Sequence, residues 1–132
     1  MNNRLGFTMV ELVIALIVIG ILSLISVPAY RGYVKKGLTT EGKALLNEID
    51  SAQQIYYARH GKYYSGTANQ QHGASFGVDT RKNKYFTAYT ITVSGNSYRA
   101  VAVTKDSGKN MTILGSLSGE PKIVDNFTSK ID

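Results

Sequence analysis

The sequence predicts an α+β protein: a long N-terminal helix, membrane-spanning in its first half, packs against an antiparallel sheet of three or four strands. Three observations predict this class. The nineteen positions 12–30 carry no charge, an apolar stripe at helical spacing follows them, and the rest of the chain alternates β-forming runs with turn residues. A chain of 132 residues suffices for one domain with a modest core.

The first element is an apolar helix at residues 7–30. It supplies the roughly 20 apolar residues that a helix needs to cross a bilayer, and Glu11 is its only charge. Three interpretations are open: a secretory signal peptide cut after Ala29, a plain signal anchor, or a span whose carboxylate has a specific role. The run is longer than the about 7–15 apolar residues of a signal peptide. A carboxylate in a span costs on the order of 3 kcal/mol, so Glu11 needs a cationic partner.

The residues around this carboxylate carry a family resemblance. The run from Gly6 to Glu11 reads Gly-Phe-Thr-Met-Val-Glu and resembles the processing site of type IV prepilins. The resemblance implies a leader peptide at 1–6, cleavage by a dedicated peptidase between Gly6 and Phe7, N-methylation of Phe7, and a signature carboxylate at Glu11. Gly20 and Pro28 also stand where such pilins often place a glycine and a proline.

Cleavage would give Phe7 an α-amino group that is cationic near neutral pH. An amine and a carboxylate about 4 Å apart attract strongly where the dielectric is low. We therefore expect Glu11 to pair with the Phe7 amine of a neighbouring copy and to set the register between subunits. Pro28 removes a backbone donor and Gly20 weakens the helix upstream, so we expect the segment 20–28 to unwind locally in a filament.

Charges on either side of the span disagree with the resemblance about orientation. Arg31, Lys35 and Lys36 follow the span, whereas Arg4 and the initial amine precede it. Taken alone, the positive-inside rule places the following domain in the cytoplasm. The resemblance implies an inner-membrane precursor with its domain outside, which then joins an extracellular pilus. We follow the resemblance because its motif is more specific than a count of charges.

Residues 31–60 predict an amphipathic continuation of the helix. Gly37 and Gly42 each weaken it by about 1 kcal/mol relative to alanine, so we expect a bend there. Gly61 predicts the C-terminal cap. The apolar stripe that should face the domain consists of Val34, Leu38, Leu45, Ile49, Ala52 and Tyr56.

Residues 61–132 predict a globular head with a loop at 61–84. The predicted strands are 85–93, 97–104 and 111–117, with a short edge strand at 122–124. This layout resembles the pilin head. Many such pilins close a C-terminal loop with a disulfide, but this chain has no cysteine, so Phe127 and Ile131 are expected to hold that region by packing.

Composition excludes several chemistries and favours one class of partner. Without cysteine there is no thiolate chemistry, and isolated carboxylates do not form a calcium loop; we expect no catalytic residue, no metal and no cofactor. The net charge is +6, which favours anionic partners. Arg81, Lys82 and Lys84, next to Tyr85, are the candidate contacts to DNA or another anion.

The functional prediction is a structural subunit, the major pilin, of a type IV pilus. Its partners would be copies of itself, the prepilin peptidase, the assembly machinery and the inner membrane, with adhesion, motility or DNA uptake as roles. The alternatives are a minor pilin or secretion pseudopilin, and a membrane-anchored periplasmic binding domain that never polymerises. N-terminal sequencing discriminates: methylated Phe7 supports a pilin, whereas Met1 or Tyr30 supports the rivals.

Overall fold

The computed structural model describes residues 6–69, 76–105, 109–116 and 119–125. The chain divides into two compact units, Met1–Gly37 and Leu38–Asp132. Among the predicted features, Arg4 and the rest of the leader before Gly6, Leu117, Phe127 and Ile131 lie outside the described residues.

Helix α1 comprises Met9–His60. At its start the Thr8 hydroxyl accepts a hydrogen bond from the Glu11 N–H at 3.2 Å, as an N-cap residue does. At its end Gly61 adopts φ 68° and donates its N–H to the Tyr57 carbonyl at 2.8 Å. A residue with a side chain is strained at that φ, so the structure confirms the predicted glycine cap.

The described strands form one antiparallel sheet in the order β1-β2-β3-β4-β5. Their bounds are Gly66–Asn69 for β1, Phe86–Ser94 for β2, Ser97–Thr104 for β3, Asn110–Ser116 for β4 and Gly119–Asp125 for β5. Each strand therefore pairs with the next one along the chain, which is the predicted meander.

Over the residues that the structure describes, the sheet has five strands, not the predicted three or four. Strand β1 lies inside the segment 61–84 that was predicted to be a loop, and its sequence, Gly-Thr-Ala-Asn, holds one good β-former, so its pairing with β2 forms it rather than its own propensity. Strand β5 extends beyond the predicted 122–124 and includes Pro121. An edge strand tolerates proline because its outer N–H groups have no ladder partner.

The core of the second unit lies between α1 and one face of the sheet. The predicted stripe is confirmed at Leu38, Leu45 and Ile49, while Val34, Ala52 and Tyr56 are only half-buried. The helix also buries Gly42, Leu46 and Gln53. Across from it the sheet buries Phe86, Tyr89, Ile91, Tyr98, Ala100, Ala102, Met111 and Ile113.

Gln53 is polar yet fully buried, and its hydrogen bonds explain why. Its Nε2 donates to the Tyr64 carbonyl at 2.8 Å, and its Oε1 accepts from the Tyr64 N–H at 2.9 Å. The amide thus pairs with a backbone residue as a neighbouring strand would, which removes the cost of burying it unpaired. This pair holds the segment after α1 against the helix.

Candidate processing and assembly site

The predicted cleavage site lies in the three residues before α1. Gly6, Phe7 and Thr8 form no regular secondary structure, and the Phe7 side chain is 88% exposed. An exposed, non-helical peptide bond is accessible to a peptidase. Cleavage between Gly6 and Phe7 and methylation of Phe7 stay predictions.

Glu11 lies in the first turn of α1, where it forms a capping box with Thr8. The Thr8 N–H and hydroxyl each donate to Glu11 Oε2 at 3.4 Å, while the Thr8 hydroxyl accepts the Glu11 N–H. Negative charge at a helix N-terminus is stabilised by the helix dipole. These two bonds are long, so the carboxylate retains acceptor capacity for a cation that approaches from outside the chain.

From Leu12 to Val27, the large apolar side chains of α1 are exposed on every face. Leu24, for example, is 78% exposed. By length and composition the helix could cross a membrane. The hydroxyls of Ser23 and Ser26 donate to the carbonyls of Ile19 and Leu22 at 2.8 and 2.7 Å. They therefore need no water, and the helix suits hydrocarbon.

Gly20 and Pro28, the predicted helix-breaking positions, both lie within continuous α1. A Cβ built on Gly20 has nothing within 4 Å, so in the single chain no neighbour requires a glycine there. Pro28 lacks the N–H that would bond the carbonyl of Leu24. Unwinding of 20–28 is a prediction about the filament and stays one.

The candidate anion contacts differ from one another in their partners. Arg81 is bound to Asp79: its Nη2 and Nε lie 2.8 and 3.0 Å from the carboxylate oxygen Oδ2, and its hydrogen bonds lower the pKa of Asp79 to about 2. Lys82 is exposed. Lys84 Nζ lies 5.3 Å from the centroid of the Tyr85 ring, a cation–π distance. The charge of Arg81 is thus offset by Asp79, which leaves Lys82 and Lys84 as the stronger attraction to an anion.

The sequence prediction missed the group that positions Lys84. Glu41, on α1, accepts the backbone N–H groups of Lys84, Tyr85 and Phe86 at 3.1, 2.8 and 2.9 Å. A carboxylate that accepts several N–H groups forms strong, charge-assisted bonds. Glu41 therefore fixes the start of β2. Glu41 directly precedes Gly42, which α1 buries. A charged residue next to a buried position is the sequence signal that could have revealed the role of Glu41.

A second missed constellation lies near the C-terminal end of α1. The Tyr98 hydroxyl donates to Asp50 Oδ1, and Gln54 Nε2 donates to Asp50 Oδ2 at 2.9 Å. Burial, then this hydrogen bond, raises the pKa of Tyr98; burial also raises the pKa of Tyr63. Together with Tyr57 these residues line a cavity of about 360 Å³.

Metal binding finds no support in the part of the chain that the structure describes. No group of three or more His, Asp or Glu side chains there could hold an ion.

Comparison with protein families gives two matches that together extend from residue 1 to residue 112. A family model described as type IV minor pilin ComP, DNA uptake sequence receptor, matches residues 28–112. A model of the prokaryotic N-terminal methylation motif matches residues 1–27.

Individual relatives are pilus proteins from several bacteria. The chain is 30% identical to a type IV major pilin protein PilE1 of Neisseria gonorrhoeae, over 83% of this chain and 58% of that protein. It is 30% identical to the fimbrial protein EcpC of Eikenella corrodens, over 83% and 69% of the two chains. It is 29% identical to the type IV wide pilus major component PilA4 of Thermus thermophilus, over 92% and 98%.

The aligned region thus spans less than two thirds of that gonococcal protein. No solved structure matches this one.

Proposed function

Since this chain belongs to the type IV pilin family, we propose that it is the major subunit of a pilus and polymerises through its N-terminal helix. As a pilin it is a structural protein that begins as a membrane precursor and ends in a surface pilus. The proposal assigns residues 1–6 to the leader, 7–30 to the span and later the filament core, 31–60 to the helix continuation and 61–132 to the head.

One observation carries the proposal: α1 exposes its apolar side chains all round from Met9 to Val27, with a single carboxylate at its start. Exposed apolar surface of this extent requires an apolar environment. Lipid supplies it before assembly, and identical helices supply it afterwards. A helix that needed lipid alone would have no use for Glu11, which is costly in a span.

The proposed assembly contact is an ion pair between Glu11 of one subunit and the methylated amine of Phe7 in the next. The capping box with Thr8 holds the carboxylate near the helix start through bonds of 3.4 Å. An amine in a low-dielectric bundle offers a stronger partner than these long bonds. The pair would form only after proteolysis, which couples processing to assembly.

The test compares filament yield from Glu11→Ala with that from Glu48→Gln. Both variants remove one carboxylate, but Glu48 is an exposed residue of the second unit. We expect Glu11→Ala to remain a membrane protein and to lose filament by at least about tenfold, the effect of 1.4 kcal/mol per added subunit. Electron microscopy of sheared surface material measures the yield. Filament from Glu11→Ala in wild-type amounts would contradict the proposed contact.

Processing is tested separately by mass spectrometry of the N-terminus from purified pili. We expect Phe7 as the first residue, with one added methyl group. A subunit that retains Met1 would contradict the assigned leader. A chain that starts at Tyr30 would support cleavage as a secretory signal peptide.

A second candidate function is a minor pilin that binds DNA. The family model that matches residues 28–112 carries that description, and the net charge of +6 attracts polyanions. In this chain Lys82 and Lys84 would supply the phosphate contacts, with Arg81 held by Asp79.

DNA binding by Lys82→Ala and Lys84→Ala, each against Lys62→Ala, tests this candidate. Lys62 follows α1, about 30 Å along the helix from the Glu41 that binds the Lys84 N–H. We expect Lys82→Ala and Lys84→Ala each to weaken DNA binding. Each should also reduce the slope of log affinity against log salt concentration by about the contribution of one phosphate contact. Equal loss from Lys62→Ala would show diffuse attraction without a site. The abundance of the chain in sheared pili separates a major from a minor subunit.

A further inference from the structure

Three tyrosine rings form a curved wall at one end of the second unit. The ring centroids of Tyr57 and Tyr63 lie 4.9 Å apart at an angle of 43°, and those of Tyr63 and Tyr98 lie 5.0 Å apart at 57°. Rings inclined at these angles do not make a flat platform. They line the cavity of about 360 Å³ together with Asp50, Gln54 and Ser116.

Asp50 brings a negative charge to this wall. It is half-buried, and each of its carboxylate oxygens accepts one hydrogen bond, from Tyr98 and from Gln54. None of the described lining residues is Lys, Arg or His, and Asp50 takes no part in the Arg81–Asp79 ion pair. Within the described structure, Asp50 thus has hydrogen-bond donors but no cationic partner.

A charged carboxylate in a partly desolvated position is stabilised electrostatically by a nearby cation. Aromatic faces attract cations as well, and they do so best for weakly hydrated ones. We propose that this cavity binds a quaternary ammonium group, with the half-buried Tyr57 ring and the accessible part of Tyr63 against the cation, the Tyr98 ring packed behind them, and Asp50 as the counter-charge. None of the lining residues that the structure describes belongs to the proposed assembly contact or to the basic residues near Lys84.

The chemistry favours a quaternary over a primary ammonium. A primary ammonium is strongly hydrated and requires acceptors for its three N–H groups, whereas Asp50, each of whose oxygens already accepts one bond, can accept from at most two of them. What the cavity offers is charge and aromatic surface, which an alkylated cation uses without donating a hydrogen bond. A volume of about 360 Å³ also leaves room for the methyl groups.

The wall is held in place before any ligand arrives. Gly115 lies on β4 opposite Tyr98 on β3, and a Cβ at Gly115 would overlap the Tyr98 ring. A glycine is therefore required where the ring crosses β4. The hydroxyl of that ring is fixed by Asp50, so ligand binding orders few further groups and costs little conformational entropy.

The binding experiment uses the full chain in a polyoxyethylene detergent, whose headgroup is neither a cation nor a sugar. Choline is titrated and followed by NMR, and its neutral tert-butyl analogue, which has the same shape without the charge, is titrated in parallel. We expect choline to shift the signals of Tyr57 and Tyr63, with a dissociation constant on the order of millimolar. The neutral analogue is expected to bind at least about tenfold more weakly.

Two variants locate the site, with one matched control. Asp50→Asn keeps an oxygen for the Tyr98 hydroxyl but removes the charge, and we expect it to weaken choline binding at least about tenfold. Glu48→Gln makes the same change in net charge on the same helix outside this cavity and should leave binding unchanged. Tyr57→Leu, at a half-buried position, should weaken binding with the fold retained by near-ultraviolet circular dichroism.

Three outcomes would overturn the proposal. The first is equal binding of choline and its neutral analogue, which would make the cavity an apolar pocket. The second is unchanged binding in both Asp50→Asn and Tyr57→Leu. The third is tighter binding of a neutral monosaccharide than of choline in the same titration.

Discussion

Helix α1 meets different requirements in the two units of the chain. In the first unit its apolar side chains are exposed on all sides, with Ile17 at 57%. In the second unit it buries a stripe that includes Leu46, which is 0% exposed. The same regular backbone thus presents two surfaces, and only the second finds its partner inside the chain.

The two halves of the helix are therefore stabilised from different sources. The second half is stabilised by burial against its own sheet, at about 25 cal/mol per Å² of apolar area. The first half gains the same kind of energy only from lipid or from other subunits. Substitutions in the two halves should therefore separate subunit stability from filament stability.

The largest expected effect comes from Leu46→Ala. Removing a fully buried leucine should cost about 2–5 kcal/mol of the free energy of unfolding. Ile17→Ala, in the first unit, should stay within about 0.5 kcal/mol in the same assay. Chemical denaturation of the full chain in micelles, followed by near-ultraviolet circular dichroism of the tyrosines, measures both.

The reverse ranking is expected for pili. Ile17→Ala should reduce filament yield although the subunit remains stable, because the side chain is exposed in the single chain and, in the proposed filament, would pack against other copies. Equal loss of subunit stability in the two variants would break the distinction between the halves.

A smaller cost is expected from Gly42→Ala. A Cβ at this buried position would meet the Phe86 ring at 2.8 Å and would overlap the Met111 sulfur. Overpacking costs about 1–3 kcal/mol, against a gain of about 1 kcal/mol in helix propensity. Gly32→Ala, in the first unit and with nothing within 4 Å of its Cβ, should leave the unfolding of the second unit unchanged, and thermal unfolding of both variants checks the contrast.

Much of the fold follows from local sequence patterns. Gly42 is an example of a position whose role depends on a contact with a distant part of the chain, which such patterns do not predict. The helix, its Gly61 cap, and strands β2, β3 and β4 were predictable because period and turn residues are local signals. The same reasoning identified Gly42 only as a weak point of the helix. Its close approach to Phe86 depends on residues 44 positions away, which no local pattern contains.

The candidate functional residues likewise fall into a group that the sequence alone reveals and a group that only the fold reveals. The prepilin-like run from Gly6 to Glu11 is contiguous, so the sequence displays it completely. Glu41 and Asp50, in contrast, bind partners 43–48 residues away. Each resembles an ordinary solvated carboxylate until the fold brings the partner to it. Strand β1 was missed for the same reason, since its partner β2 defines it.

A further effect should emerge only in alkali. Burial raises the pKa of Tyr89 to about 12 from 10.0, and its hydroxyl donates to the Val78 carbonyl at 3.1 Å. The unfolded chain therefore loses this proton at a lower pH than the folded chain does. The stability that the neutral phenol contributes is complete below pH 10 and is lost as the pH rises towards 12.

Tyr89→Phe keeps the ring but removes the titrating group, so its unfolding free energy should fall less steeply between about pH 10 and 12. Tyr33→Phe, in the exposed part of α1, is the matched control and should retain the wild-type slope. Denaturation at a series of pH values measures the slope. Identical slopes in wild type and Tyr89→Phe would contradict this account.

The smallest effect concerns Gly20, in the half of the helix that nothing in its own chain covers. Alanine there should stabilise the helix by about 1 kcal/mol, because a Cβ meets nothing within 4 Å. Amide hydrogen exchange near residue 20 in micelles should slow by about fivefold, and Ala15→Gly should accelerate it by a similar factor. If the segment 20–28 unwinds in the filament, Gly20→Ala should also stiffen pili under tension while leaving the denaturation of the second unit unchanged. Faster exchange in Gly20→Ala would mean that the glycine is required by packing, and the contrast with Gly42 would disappear.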